Sequence, residues 1–263
     1  MTARHEDLDR CSQSLYEARR SGVPIPPLTH EFPDWGVAEG YAVQQGLVER
    51  LIADGERIVG YKLGLTSTPM QELLGVDQPD FSPIFASGVL SDGAELSVGD
   101  FIAPRVEAEI AVVLADDLHG PDCTSGHVAR ATRGLTSAIE IVDSRIADWQ
   151  ITIADTVADL ASGGAIVLGS QAVALTAIDP RLIGMVFTRN GQLVATGAGA
   201  AALGNPLAAV AWLANTLHPH GGYLPAGSVV MTGALHAMKP ISPGEIWTGE
   251  FDHLGPVSLS VTE

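Results

Sequence analysis

Cysteine is nearly absent from this chain: Cys11 and Cys123 are the only two among 263 residues, far apart and each beside polar neighbours. So few thiols exclude a disulfide framework and a cysteine-based zinc motif, and they point to a reducing cytoplasm. Positive charge is scarce as well. Lysine and arginine number 14 against 31 acidic residues, a formal charge of -17, which repels phosphate backbones and anionic bilayers. Neither nucleic acid nor membrane is expected as a partner, and an anionic substrate would need positive charge supplied within its site. Long apolar runs are missing too. The longest, Leu207 to Ala214, is far too short to cross a bilayer, and the segment Met1 to Asp7 is charged, unlike a secretory leader.

What remains is a chain long enough to bury a large core, as one domain or a domain with a smaller appendage. From Asp7 to Arg20, Leu8, Cys11, Leu15 and Ala18 recur at helical spacing, which predicts a helix ending near Gly22, before Pro24, Pro26 and Pro27. A second helix is expected from Trp35 to Ala53, with Asp34 as its N-cap. Beyond Ile58 the pattern turns to short runs separated by Gly, Pro and Asp. Strands are predicted at Ile58 to Leu65, Phe101 to Leu114, Ser137 to Val142, Ala165 to Leu168, Leu182 to Arg189, Ser228 to Met231 and Glu245 to Phe251. One more helix should start at Asn205-Pro206 and run from Leu207 to Leu217. The class is α+β, with an N-terminal helical region and first strand over residues 1-75 and a β-rich domain over 76-263.

Two glutamates one residue apart, in Arg105-Val106-Glu107-Ala108-Glu109-Ile110, head an apolar strand, and Glu140 sits inside another apolar run. Alternate residues of a strand share a face about 7 Å apart, so Glu107 and Glu109 can converge on one ion. Three carboxylates suit a hard divalent cation such as Mg²⁺ or Mn²⁺. The competing reading pairs them with Arg105 and Arg145 in ordinary salt bridges.

Lys62 lies in Gly60-Tyr61-Lys62-Leu63-Gly64 and could offset the residual charge of such a site. Gly60 and Gly64 share its face, a gap suited to close approach of a ligand; the alternative is a lysine on a solvated strand face. The stretch Gly55 to Lys62 lacks the hydroxyl residue of a phosphate loop. His218 and His220 flank a proline in what reads as a helix-ending loop, with no third ligand nearby. Asp80, Asp155, Asp159 and Ser162 read as turn residues or caps on composition alone.

Five segments carry a resemblance: Lys62 to Ser67, Gly75 to Phe81, Arg105 to Glu109, Ala138 to Trp149 and Asp155 to Asp159. Ala211 to Asn215 and Thr232 to Leu235 extend it. In order and spacing the chain resembles the 2-hydroxypenta-2,4-dienoate hydratase and 4-oxalocrotonate decarboxylase family of the fumarylacetoacetate hydrolase superfamily. That resemblance implies a mixed β-roll core, Mg²⁺ or Mn²⁺ held by Glu107, Glu109 and Glu140, and homo-oligomers with possible association with a related pathway enzyme. It implies catalytic roles for Lys62 and Asp80, and substrate contacts from Leu63, Ser162, Leu160 and Arg145. Leu160 stands where the family motif has asparagine, Ser82 where glycine is usual, and Asn205 where histidine is common.

The implied activity is addition of water to a 2-hydroxy-2,4-dienoate, giving a 4-hydroxy-2-oxo acid in meta-cleavage-type aromatic or steroid catabolism. A 2-oxo-3-enedioate decarboxylase is the alternative, since the same electron sink serves both. Hydratase-like versions of Asp155 to Asp159 and Thr232 to Leu235, and the lack of an extra basic residue, favour hydration. Acylpyruvate hydrolases of the superfamily use a histidine and glutamate after the lysine strand, whereas Leu65 to Ser82 holds Glu72 and no histidine. A non-catalytic partner subunit would not need all three glutamates and Lys62.

Overall fold

The computed structural model describes residues 4–67, 71–72 and 75–263. Two helices of 17 residues open the chain: α1 (His5–Ser21) and, after the single turn α2 (Leu28–Glu31), α3 (Val37–Ala53). α1 ends as its spacing predicts, with Gly22 at φ 69°, a left-handed cap that glycine adopts without strain. Asp34 is not the cap of α3. That place falls to Gly36, whose N–H donates to the Glu39 carboxylate at 3.0 Å. The apolar stripes of α1 and α3 close on each other through Cys11, Leu15, Val43, Leu47 and Leu51. Full burial of a leucine such as Leu15 or Leu47 contributes about 1.5–3 kcal/mol.

Among the described residues thirteen strands follow, in two sheets. The larger comprises β1 (Ile58–Gly64), β2 (Asp80–Phe85), β3 (Val89–Ser91), β5 (Arg105–Leu114), β6 (Thr132–Val142), β7 (Gly163–Leu168), β10 (Val229–Ala234) and β11 (Lys239–Pro240). Its order is β2-β1-β10-β5-β6-β7-β3, with β11 also on β5. The smaller, in the order β4-β13-β12-β8-β9, contains β4 (Ala94–Ser97), β8 (Gly184–Arg189), β9 (Gln192–Ala198), β12 (Ile246–Phe251) and β13 (Gly255–Thr262). Helices α4 (Ser125–Ala131), α5 (Ile153–Ala158) and α6 (Pro206–Leu217) lie between strands, the last capped by the Asn205 side chain as its Asn-Pro start predicts.

The seven expected strands all form, with β6 starting five residues earlier than expected, at Thr132. Several were not expected: β2, whose Asp-Phe-Ser-Pro run has no alternation, and the hairpin partners β9 and β13. α5 is short and α2 sits among prolines, so neither shows a helical period. Gly60 is not a gap for a ligand. A methyl group there would collide with the carbonyl oxygen of Val229, because β10 runs parallel to β1 and its backbone comes close at that point.

Candidate metal centre

Glu107 and Glu140 are directly opposed across the β5–β6 ladder, and Glu109 lies two residues along the same face, opposite Ala138. Like charges facing each other across strands are destabilising. Yet Glu109 and Glu140 are fully buried, Glu107 is half-buried, and one carboxylate oxygen from each lies within 4.8 Å of the others. Burial and the Glu140 carboxylate push Glu107 up to about 8, and the same causes push Glu109 well above the ordinary carboxylate range. Three acids so placed cannot all ionise without a shared cation.

Lys62 completes the group. In a flat sheet, β1 and β6 would stand about 14 Å apart, three strand spacings. Nevertheless the Lys62 ammonium is 2.7 Å from Glu140 Oε1, so the sheet rolls up and its concave face brings the two together. The alternative of a lysine on a solvated strand face therefore fails: Lys62 is 5% exposed and donates to the Ala161 carbonyl at 2.6 Å. Burial opposes its charge, but the carboxylates of Glu140 and Asp80 outweigh this and raise its pKa.

Asp80 enters from β2, opposite Gly64 of β1. A methyl group on Gly64 would strike Asp80 Oδ1, so the second glycine makes room for a protein carboxylate and not for a ligand. Burial raises Asp80 to about 6, against the pull of Lys62. Among the described residues, the buried side-chain oxygens left without a partner are Asp80 Oδ1, Ser82 Oγ, Glu109 Oε1 and Glu140 Oε2, while Glu140 Oε1 has only the Lys62 ammonium. All belong to this one site. Unpaired buried carboxylate oxygens are costly, and a divalent cation with an anionic ligand is the chemistry that would satisfy them. The salt-bridge alternative fails, because Arg105 stacks over the Trp149 ring at 4.4 Å and Arg145 pairs with Asp159.

Four expected substrate contacts fall differently. Leu63 alternates away from Lys62 and packs in the main core. Arg145 is 2% exposed; its Nε donates to Asp159 Oδ1 at 2.5 Å, Nη2 to the Asp159 carbonyl at 2.7 Å and Nη1 to the Gly163 carbonyl at 3.0 Å. It clamps the loop behind Lys62 and has no open face for a substrate carboxylate. Leu160, in that loop, turns into the cluster with Leu15, Leu47 and Phe85. Ser162 follows the Ala161 carbonyl that meets Lys62 and is itself 4% exposed, with its hydroxyl 3.2 Å from that of Thr156.

The loop itself is strained. Leu160, Ala161 and Ser162 all have positive φ, at 54°, 48° and 54°, a left-handed run that costs non-glycine residues about 1 kcal/mol or more each. Asparagine tolerates that region better than leucine does. The Leu160 departure therefore acts on the backbone and the N-terminal packing, and it also changes the lining of the cleft that Lys62 and Glu140 share, where an amide would stand.

Sequence reasoning missed several supporting groups. Gln44 of α3, 4% exposed, donates to the carbonyls of Val157 at 2.7 Å and Phe81 at 3.2 Å, tying the helical region to the strand that carries Asp80. Asp155 is a cap, one of the two readings its composition allowed, closing the capping box with Thr152, and it also accepts from both the N–H and hydroxyl of Thr29, which sequence did not show. Gly233 donates to Glu109 Oε2 at 2.9 Å, with φ at 107° and Thr66 where a side chain would stand. His218 and His220 are exposed at the end of α6, as their sequence context implied.

Residues 66–262 match the family described as fumarylacetoacetate (FAA) hydrolase C-terminal. The chain belongs to that family. Among curated relatives, the 2-keto-4-pentenoate hydratase of Paraburkholderia xenovorans (strain LB400) is 44% identical, over 95% of this chain and 93% of its own. The 2-hydroxyhexa-2,4-dienoate hydratase of Comamonas testosteroni is 41% identical, over 95% and 96%. Among solved structures, the 4-oxalocrotonate decarboxylase from Pseudomonas putida G7, complexed with magnesium and adipate, aligns with a TM-score of 0.95 at 35% identity over 99% of both chains. The β-roll with N-terminal helices is thus the fold expected of a fumarylacetoacetate hydrolase family member.

Proposed function

We propose that this family member is a divalent-metal-dependent hydro-lyase that adds water to a 2-hydroxy-2,4-dienoate and yields a 4-hydroxy-2-oxo acid. The observation that carries the reading is the set of unpartnered buried oxygens, Glu109 Oε1, Glu140 Oε2 and Asp80 Oδ1, around a Lys62 ammonium that reaches Glu140 Oε1 alone. Glu107, Glu109 and Glu140 would hold Mg²⁺ or Mn²⁺, and relatives that are hydratases by name or solved with magnesium support this. When bound, the ion supplies Lewis acidity and a template for the 1-carboxylate and 2-oxygen of the substrate.

The chain's own groups do the rest. Lys62 Nζ, held by Ala161 and Glu140, donates toward the 2-oxygen as negative charge develops there. Asp80 Oδ1, free of partners and raised to about 6, accepts the 2-hydroxyl proton and passes a proton toward C5. Water then adds its oxygen at C4, the C3–C4 π electrons pass to the 2-oxygen facing Lys62, and protonation at C3 completes the 4-hydroxy-2-oxo acid. We assign Ser162 to the rim of the substrate site.

Hydration is favoured over decarboxylation of an enedioate by the hollow beside Asp80. It has a volume of about 290 Å³ and is walled by Val37, Val76, Ile153 and Val157, with no lysine, arginine or histidine among its lining residues. That hollow offers a second carboxylate no cation; the nearest alternative is Arg19, which lines the separate cleft that Lys62 and Glu140 share. In the segment that acylpyruvate hydrolases use, residues 68–70 and 73–74 lie outside the described residues.

We further read residues 1-75 as the helical region that buttresses the catalytic domain over 76-263, and the cytoplasm as its compartment. Both cysteines are free, and no helix among the described residues is long and apolar enough to cross a membrane. Homo-oligomeric assembly, or association with a related pathway enzyme, is supported by exposed Val186, Leu193 and Ile246 on the smaller sheet. The deciding assay follows loss of dienoate absorbance with 5-substituted substrates, with and without Mg²⁺ or Mn²⁺, while carbon dioxide is measured. Metal-dependent loss without carbon dioxide is expected; stoichiometric carbon dioxide from an enedioate would overturn hydration.

A further inference from the structure

The ladder beside β5 is broken at the metal centre. β10 pairs in register from Val229 opposite Val113 to Met231 opposite Ala111, then skips so that Ala234 faces Glu109, and pairing resumes only with Lys239 opposite Val106. Ala108, between two of the glutamates, is therefore left without a strand neighbour on that side. Its backbone groups are fully buried, where an unpaired N–H or carbonyl is costly.

The loop fills the break in two ways. Leu235 N–H donates to the Ala108 carbonyl at 3.0 Å, as a strand would. The Ala108 N–H instead donates to a side chain, His236 Nε2, at 3.0 Å. An imidazole that accepts at Nε2 must carry its proton on Nδ1, and Nδ1 lies 2.7 Å from the Ala237 carbonyl, which receives it. The ring is half-buried and packs on Phe187 at 4.8 Å. Burial lowers its pKa, which favours the neutral ring that this arrangement requires.

We propose that His236 is a positioning residue for the divalent-ion site: its Nδ1–H tautomer replaces the missing strand neighbour at Ala108 and fixes the backbone that aims Glu107 and Glu109. The inference rests on reading the three glutamates as metal ligands. With Gly233 N–H on Glu109 Oε2, the segment from Gly233 to His236 grips the ligand strand at one carboxylate and both backbone groups between the pair. Groups that hydrogen-bond a metal ligand directly, as Gly233 does, typically change metal affinity by about 10–100-fold, and His236 acts one step further out, through the backbone between two ligands.

The test compares Mn²⁺ binding by calorimetry for the wild-type chain, His236→Phe and His236→Gln. Phenylalanine keeps the ring and its packing on Phe187 but cannot accept; glutamine loses the ring but can place an oxygen where Nε2 stood. His236→Phe should weaken Mn²⁺ binding by about tenfold or more, while His236→Gln recovers most of that loss. Equal binding by wild type and His236→Phe, or equal losses in both variants, would overturn the role of His236 and leave the metal reading intact. Absence of Mn²⁺ binding in wild type would overturn both. The wild-type chain also offers a check independent of folding in the variants: nitrogen-15 NMR of the imidazole should show the Nδ1–H form, and an Nε2–H ring would refute the proposal.

Discussion

Replacing Arg145 separates a substrate-binding arginine from a structural one. The guanidinium makes three side-chain hydrogen bonds, two to Asp159 and one to Gly163, and Asp159 is wholly buried. In Arg145→Met, the Asp159 carboxyl would keep only the Arg145 backbone N–H on Oδ2 and the more distant charge of Arg19. Removing one partner of a buried pair costs about 3–5 kcal/mol. At this chain length, about 2 °C of Tm is lost per kcal/mol, so thermal denaturation should shift down by roughly 6–10 °C. Arg145→Met/Asp159→Leu should recover part of that loss, because the uncompensated carboxyl is gone, though the Arg145 N–H then lacks its acceptor. Turnover should fall in the single variant, since the clamped loop presents the Ala161 carbonyl to Lys62, while KM for the dienoate changes little. A Tm within about 2 °C of wild type, together with a KM raised about a hundredfold, would refute the clamp and return Arg145 to the substrate.

Glu109→Gln should abolish Mn²⁺ binding by calorimetry, yet metal-free protein should melt at or above wild type, because one of three mutually repelling acids is removed. For metal-free wild type, the folded pKa of Glu107, about 8, lies above its ordinary 4.5. The folded state then holds a proton that the unfolded chain has released, so stability should fall as pH rises from about 4.5 through about 8. Denaturant titrations across that range check it, and saturating Mn²⁺ should remove the decline. Gly60→Ala should destabilise far more than Gly64→Ala, since it meets the Val229 backbone, whereas Gly64→Ala displaces the Asp80 side chain. Gly64→Ala should bind Mn²⁺ normally and lose most of its turnover, a split visible when calorimetry and dienoate kinetics are run on one preparation. Lys62→Met should reduce kcat by about 10²-fold or more if its ammonium faces the developing charge; unchanged kcat would remove it from the reaction.

The parts of the fold that could be read from residues are those whose signal is local. α1, α3 and α6 carry helical spacing with a glycine or proline at a boundary, and Glu107 and Glu109 are conspicuous because carboxylates rarely enter apolar strands. β2 was missed for the opposite reason. Its residues are set by what lies across from them: Asp80 by the missing side chain of Gly64, and Phe81 by Tyr41 and Gln44. Pairings between residues tens of positions apart leave no periodicity to detect. The same holds for Lys62, whose burial depends on the sheet rolling until β1 reaches β6.

Leu160 shows how far a motif can carry a role and where it stops. A motif aligns a residue's place in the chain but not the direction of its side chain, and the left-handed turn over Leu160, Ala161 and Ser162 decides that direction. Leucine there faces the N-terminal helices, adding to the cluster of Leu15 and Leu47 while keeping a backbone shape better suited to asparagine. The strain persists because Arg145 holds both ends of the loop, at Asp159 and Gly163. Lys62 is thereby aimed at Glu140 through a carbonyl, that of Ala161, whose position depends on an ion pair outside the metal centre. Activity should therefore depend on Arg145 more steeply than Mn²⁺ affinity does, since the glutamates sit on strands that the loop does not carry.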